Sequence, residues 1–271
     1  MDNRPIGVFD SGLGGLSTVR AMKKLLPNED IIYFGDTGRV PYGTRSNETV
    51  ETYAAQDIKF LKSFSCKMIV AACGTVSTAA SNVLEMTGLP TTGITKPSAR
   101  AAVNATKNKI IGVMGTSATI NSGAFDDEIK AYDSDIKVVS ASCPLLVSLV
   151  ESNWIDIDDE VTNAAVKRYI EPIINAGADT IILGCTHFPI LAPIIQKVAG
   201  NGVTLIDTGL EEARYVKEAL SANGIENDAE HKGAQRFFVS DKTQNFCDVA
   251  RVLLGEDISD SCEFIDIFKV I

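Results

Sequence analysis

Histidine is scarce in this chain: His187 and His231 are the only two, and none of the six cysteines falls in a C-x-x-C pair. No H-x-x-x-H pair and no Cys/His cluster with metal-ligand spacing is present, so no metal site is expected. No apolar run reaches the roughly 18 residues needed to cross a bilayer. Positive charge is in deficit, with 25 Lys and Arg against 35 Asp and Glu and a net charge of −10. That deficit excludes nucleic acid and anionic membrane as partners. An acidic small molecule would have to be met by locally placed donors. The opening residues, Met-Asp-Asn-Arg-Pro, lead into an apolar segment with no signal-peptide core, which predicts a cytosolic (cytoplasmic) protein. Disulfides are not expected there, so the thiols are free for chemistry. Nucleotide signatures are missing too. There is no G-x-x-x-x-G-K-[ST], and the glycines at 12, 14 and 15 miss G-x-G-x-x-G because position 17 is Ser.

Apolar residues make up 45% and charged residues 22% of the 271, a globular balance with material for two ordinary domains. Residues 6–10 read as a strand, 11–15 as a glycine turn, and Leu16–Leu26 as an amphipathic helix stopped near Pro27. Asp30–Phe34 reads as a second strand and Arg39–Arg45 as a loop. Ser46–Ser63 has helical periodicity, with Ser46 or Asn47 as N-cap. Lys67–Ala72 is a third strand and Thr75–Thr87 a helix of small residues. Strand and helix alternating at these lengths predict an α/β fold with parallel sheets. The pattern then repeats. Ile6-Gly7-Val8 recurs as Ile111-Gly112-Val113 and Asp30-Ile31 as Asp135-Ile136, each 105 residues on. This predicts two pseudo-symmetric α/β halves, with residues 88–98 crossing between them. In the tail, Leu210–Asn223 reads as a helix, Asn223–Lys232 as a polar surface loop, Gln235–Ser240 as a strand, Gln244–Leu254 as a helix and Glu263–Phe268 as a last strand.

The chemistry concentrates where the repeat carries a cysteine. Residues 68–75, Met-Ile-Val-Ala-Ala-Cys-Gly-Thr, are echoed by 180–187, Thr-Ile-Ile-Leu-Gly-Cys-Thr-His. An apolar run of that length suits a strand buried on both faces. Cys73 and Cys185 then sit at the carboxyl ends of two strands, where open α/β sheets place their ligands. Asp10 ends the first strand, placed either to relay protons or to cap the next helix; Asp36, after the second strand, has the same two readings. The turn at 11–15 opens a helix whose N–H groups could meet a carboxylate. Tyr42 and Gly43 offer a hydroxyl and an N–H. Thr116 and Thr119 either bind an anion or cap a helix. His187, two residues past Cys185, is close enough to influence that thiol. Inverting a carbon centre requires one group to remove a proton from one face while another delivers to the opposite face. A thiol, with an ordinary pKa of about 8.5, can be tuned to either role by its neighbours. Two thiols held apart by a substrate meet that requirement.

Asp10-Ser11-Gly12, Gly35-Asp36-Thr37, Pro41-Tyr42-Gly43, Ala72-Cys73-x-Thr75 and Gly184-Cys185-Thr186-His187-Phe188-Pro189 together resemble the glutamate racemase family, within the cofactor-independent amino-acid racemases and epimerases. The resemblance runs from Ile6 to about Gly209. It implies interconversion of L- and D-glutamate with no cofactor, supply of D-glutamate for peptidoglycan, and a homodimer. It implies Cys73 and Cys185 as the catalytic thiols, assisted by Asp10 and His187 respectively. Asp10, Ser11, Tyr42, Gly43, Thr75, Thr186 and His187 are implied around the substrate, with Asp36 and Glu151 as supporting acids. The implied fold is two parallel-sheet α/β domains with the active site in the cleft between them, residues 1–96 plus 210–271 forming the first and 97–209 the second. One position departs: Gly74 stands where the family usually has Asn, which removes a side-chain donor and leaves a backbone N–H. That departure keeps open racemisation of aspartate or another amino acid. A third reading is a binding protein on the same fold without catalysis.

Overall fold

The structure is a computed structural model that describes residues 1–242 and 246–270. Ten strands are described, in chain order β1 (Ile6–Asp10), β2 (Ile31–Gly35), β3 (Met68–Ala71), β4 (Thr91–Gly93), β5 (Ile110–Gly115), β6 (Lys137–Ser142), β7 (Thr180–Leu183), β8 (Thr204–Asp207), β9 (Gln235–Val239) and β10 (Cys262–Phe264). They form two sheets, ordered β10-β9-β2-β1-β3-β4 and β6-β5-β7-β8, and every pairing is parallel. Parallel neighbours need crossovers, and helices supply them.

The predicted repeat is visible in the topology. The order β2-β1-β3-β4 in one sheet is the order β6-β5-β7-β8 in the other. The registers agree as well. Ile6 pairs with Met68, five residues before Cys73, and Ile111 pairs with Thr180, five residues before Cys185. The two cysteines therefore leave their sheets at the same level.

Burial follows the two-residue period of a strand. Ile6, Val8, Met68 and Val70 pack into one layer of the first half with Leu16, Val19 and Met22 of the helix Leu16–Leu25. Phe9, Ile69 and Ala71 face the opposite layer, with Val50, Ile58 and Leu61 of the helix Asn47–Lys62. Ser46 caps that helix, accepting from the Thr49 N–H. The helix Thr208–Asn223 leaves β8 of the second sheet but buries Ala213, Val216 and Leu220 against the first. β9 and β10 then extend the first sheet at its β2 edge.

Three segments differ from the sequence reading, and a fourth, the loop 223–232, is a surface loop as expected. The helix expected at 75–87 is two short ones, Gly74–Ala79 and Ser81–Glu85, broken at Ala80. Ser77 and Thr78 turn their hydroxyls onto the carbonyls of Cys73 and Gly74 and compete with the helical ladder. The crossing at 88–98 contains β4 and the start of the helix Thr95–Ala105. The last strand stops at Phe264, and Ile267–Val270 is helical. The loop 223–232 is tied down: Asn227 donates its N–H to Glu29 at 2.8 Å and His231 meets Asp30 at 2.9 Å. His231 is thereby a structural histidine. The expected helix start at Gln244 lies outside the described residues, and the helix is described from Phe246 to Leu254.

Candidate active site

The carboxyl ends of both sheets open onto one cavity of about 430 Å³. From the first half come Asp10 at the end of β1 with Ser11 after it, Tyr42 and Gly43 from a short turn, and Cys73, Gly74 and Thr75 after β3. From the second come Thr116 and Ser117 after β5, Glu151 at the end of the helix Pro144–Glu151, and Cys185, Thr186 and His187 after β7. All ten residues expected to act or to touch substrate line this one space. No lysine or arginine lines it among the described residues. A carboxylate held here meets hydroxyls and backbone N–H groups rather than a guanidinium.

The two thiols sit in different electrostatic settings. Cys73 is 5% exposed and donates to Ser11 Oγ at 3.3 Å. Burial, reinforced by the Asp10 carboxylate, pushes its pKa up to about 12. Burial also raises the pKa of Asp10, against the pull of His187 and the N–H groups of Gly12 and Gly15. Asp10 is not a helix cap. The cap position is Gly15, which makes no side-chain cap bond, and Asp10 Oδ2 instead accepts the Gly12 N–H at 2.9 Å.

Cys185 Sγ lies 3.7 Å from His187 Nδ1. The other ring nitrogen stands 3.2 Å from Glu151 Oε1, close enough for an ion pair though not aligned as a hydrogen bond. Burial alone would lower the pKa of His187, but Cys185 and Glu151 outweigh it and hold it up at about 10. An imidazolium at this point stabilises negative charge on the adjacent sulfur.

Tyr42 lines the cavity, but its hydroxyl is spoken for. It donates to Asp36 Oδ2 and lies 3.1 Å from Asp57 Oδ2. Arg39 closes the cluster, with Nε 2.5 Å from Asp36 and a terminal nitrogen 2.9 Å from Asp57. Ser240 donates to the remaining Asp36 oxygen at 2.7 Å. Asp36 is fully buried behind the site, where it anchors the loop 39–43. Thr116 caps the helix Ser117–Asn121, and Thr119 lies behind it rather than on the cavity wall.

The sequence reading did not reach Pro144, Val147 and Ser148, which form one wall. Cys143-Pro144 at the end of β6 is the signal that could have found them, since proline favours the first turn of a helix.

The halves touch across the cavity. Thr75 Oγ1 and Thr116 Oγ1 are 3.2 Å apart, and Ser17 donates to the Thr186 carbonyl at 3.0 Å. A Cβ on Gly14 would fall 2.0 Å from Thr186 Oγ1 and 2.8 Å from the His187 ring, so a side chain there would displace both site residues.

Paired parallel sheets with strand-end thiols facing one cavity define the architecture of an amino-acid racemase, an isomerase. The chain belongs to the Asp/Glu/hydantoin racemase family, whose model matches residues 6–216. It is 41% identical over 258 residues to a glutamate racemase of Chlorobaculum tepidum, covering 94% of each chain. Among solved structures it resembles the Francisella tularensis glutamate racemase in complex with D-glutamate, with a TM-score of 0.91, 35% identity, and 99% and 100% of the two chains covered. A glutamate racemase isoform of Bacillus anthracis gives a TM-score of 0.92 at 36% identity, with 98% of each chain covered.

Proposed function

We propose that this enzyme interconverts L- and D-glutamate by a two-thiol deprotonation and reprotonation, with Cys73 and Cys185 as the acid–base pair. The observation that carries the reading is the matched level of the two cysteines, which leave separate sheets and line one cavity, each with a different proton partner. In one direction Cys185, beside the His187 imidazolium, is the thiolate that removes the α-proton. Cys73, whose thiol form burial and the Asp10 carboxylate favour in this state, delivers to the opposite face. The reverse direction starts with the roles exchanged. Asp10, buried beside Cys73, then shares a proton with that sulfur as His187 does with Cys185.

Ser11, Thr75 and Thr186 hydroxyls, with the N–H groups of Gly43 and Gly74, are the donors for the substrate's carboxylates. Glu151 acts through His187, and Asp36 through the loop that carries Tyr42 and Gly43. The domain boundaries are set at residues 1–96 with 210–271, and 97–209. On this reading the enzyme requires no cofactor, works in the cytoplasm as a homodimer, and supplies D-glutamate for peptidoglycan. Relatives at about 40% identity that bear the name glutamate racemase support the substrate assignment. Racemisation of aspartate is the second reading, favoured by the missing side chain at Gly74.

Circular-dichroism racemisation assays on glutamate and aspartate, with no added cofactor, decide between the two. Turnover of glutamate that is lost in Cys73→Ala and in Cys185→Ala is the expected result. Retained turnover in either variant contradicts the two-thiol assignment.

A further inference from the structure

Gly74 stands at the seam between the two halves of the cavity. It follows Cys73 at the end of β3, and across the seam Gly184 precedes Cys185 at the end of β7. A Cβ built on Gly74 would lie 2.7 Å from the Gly184 carbonyl oxygen, 3.2 Å from Ile94 Cδ1 and 3.5 Å from Thr119 Oγ1. The backbone at 74 is helical and has no positive φ, so conformational freedom is not what requires glycine here. Space is. An overlap with a side-chain end is relieved by a change of rotamer, but an overlap with a backbone oxygen is relieved only when one backbone moves. The two backbones concerned carry the two cysteines. The Thr75–Thr116 hydroxyl contact at 3.2 Å, one residue further on, joins the β3 end to the end of β5, the strand paired with β7.

We infer that Gly74 sets how closely the halves approach, and through that the spacing at which the two thiols flank the substrate carbon. It is a positioning residue, and the inference rests on the two-thiol reading above. The side-chain amide expected at this position from the family resemblance is replaced by closer contact between the halves. Adding an asparagine side chain to this chain therefore wedges the seam open instead of supplying a missing ligand. A displacement of about 1 Å at a reacting centre lowers rate on the order of a hundredfold.

The test is Gly74→Asn beside Gly74→Ala, assayed for kcat and KM on both enantiomers of glutamate, with circular dichroism to confirm folding. Both variants should lose about tenfold or more in kcat while KM moves less than about threefold, because the wedge acts on the spacing reached in the transition state. Alanine should be impaired although it adds no polar group. A Gly74→Asn enzyme that equals or exceeds wild type overturns the inference and identifies a missing donor instead. If a variant does not fold, amide hydrogen exchange on the wild type takes its place. Segments around 74 and 184 should gain protection together on adding D-glutamate, and no change in either overturns the inference. A wild-type enzyme that does not racemise glutamate overturns the functional reading itself, an outcome distinct from these.

Discussion

Cys185 Sγ and His187 Nδ1 lie 3.7 Å apart, and the far nitrogen of the same ring faces Glu151. The imidazole is thus held between a half-exposed acid and a buried thiol. Its raised pKa, about 10, keeps it charged through neutral pH.

Replacing Glu151 by Gln removes a negative neighbour and should lower the pKa of His187. Glu151 is about half exposed, its side chain at 48%, so the effect belongs at the small end for a charge pair. The alkaline limb of the kcat/KM profile should move toward lower pH by about one unit. The same pair has a stability consequence. A histidine whose folded pKa is raised contributes stability that is complete below its unfolded value and is lost as pH rises through about 10. Glu151→Gln should therefore lose stability relative to wild type at pH 7 and converge with it at alkaline pH. An unmoved alkaline limb would separate Glu151 from the histidine.

Tyr42 gives its hydroxyl to Asp36 and Asp57 rather than to the cavity. Tyr42→Phe should therefore leave KM for glutamate within about twofold of wild type. It should lower stability by about 1–3 kcal/mol, because buried carboxylate oxygens lose a partner. Asp57 is fully buried, and burial together with Asp36 pushes its pKa well up. Asp57→Asn keeps a neutral group of the same shape and should destabilise less than Asp57→Ala. A large KM increase in Tyr42→Phe would return the hydroxyl to the substrate.

Much of this arrangement was legible in the chain itself. The apolar runs ending at Cys73 and Cys185 predicted strands buried on both faces, and the repeated Ile-Gly-Val predicted the shared strand order. Periodicity reports on one element at a time, and the readings that changed turn on side-chain partners that it does not register. Tyr42 looked like a free donor because its acceptor Asp57 lies fifteen residues on, on another element. Of the two readings of Asp10, the cap falls away because the turn after it, not the aspartate, sets where the helix begins. The helix at 75–87 broke because serine and threonine hydroxyls compete with backbone donors, an effect that composition shows and apolar periodicity does not. The crowding at 14 and 74 was invisible, since the atoms a side chain would first meet belong to the other half.

Glu212 is fully buried on the helix Thr208–Asn223. Thr18 lies 3.4 Å from one carboxyl oxygen, and the other has no partner. Burial raises its pKa well above the usual carboxylate range. An acid with a raised folded pKa favours the fold below its unfolded pKa, and that contribution is lost as pH rises. Glu212→Gln removes the ionisation, so its melting temperature should gain on wild type as pH goes from 4 to 8. A gap that stays constant over this range would place an ionised carboxylate at 212.

The central claim is that two separate groups handle the proton, one on each face of the carbon. Racemisation of L-glutamate in deuterium oxide, stopped at a few per cent conversion and read by mass spectrometry of the separated enantiomers, tests it most directly. The D-glutamate formed should carry deuterium at the α-carbon while the remaining L-glutamate keeps its hydrogen, because the thiol that delivers is not the thiol that removed. Deuterium appearing equally in both enantiomers at early times would mean that a single group serves both faces, and would contradict the two-thiol account.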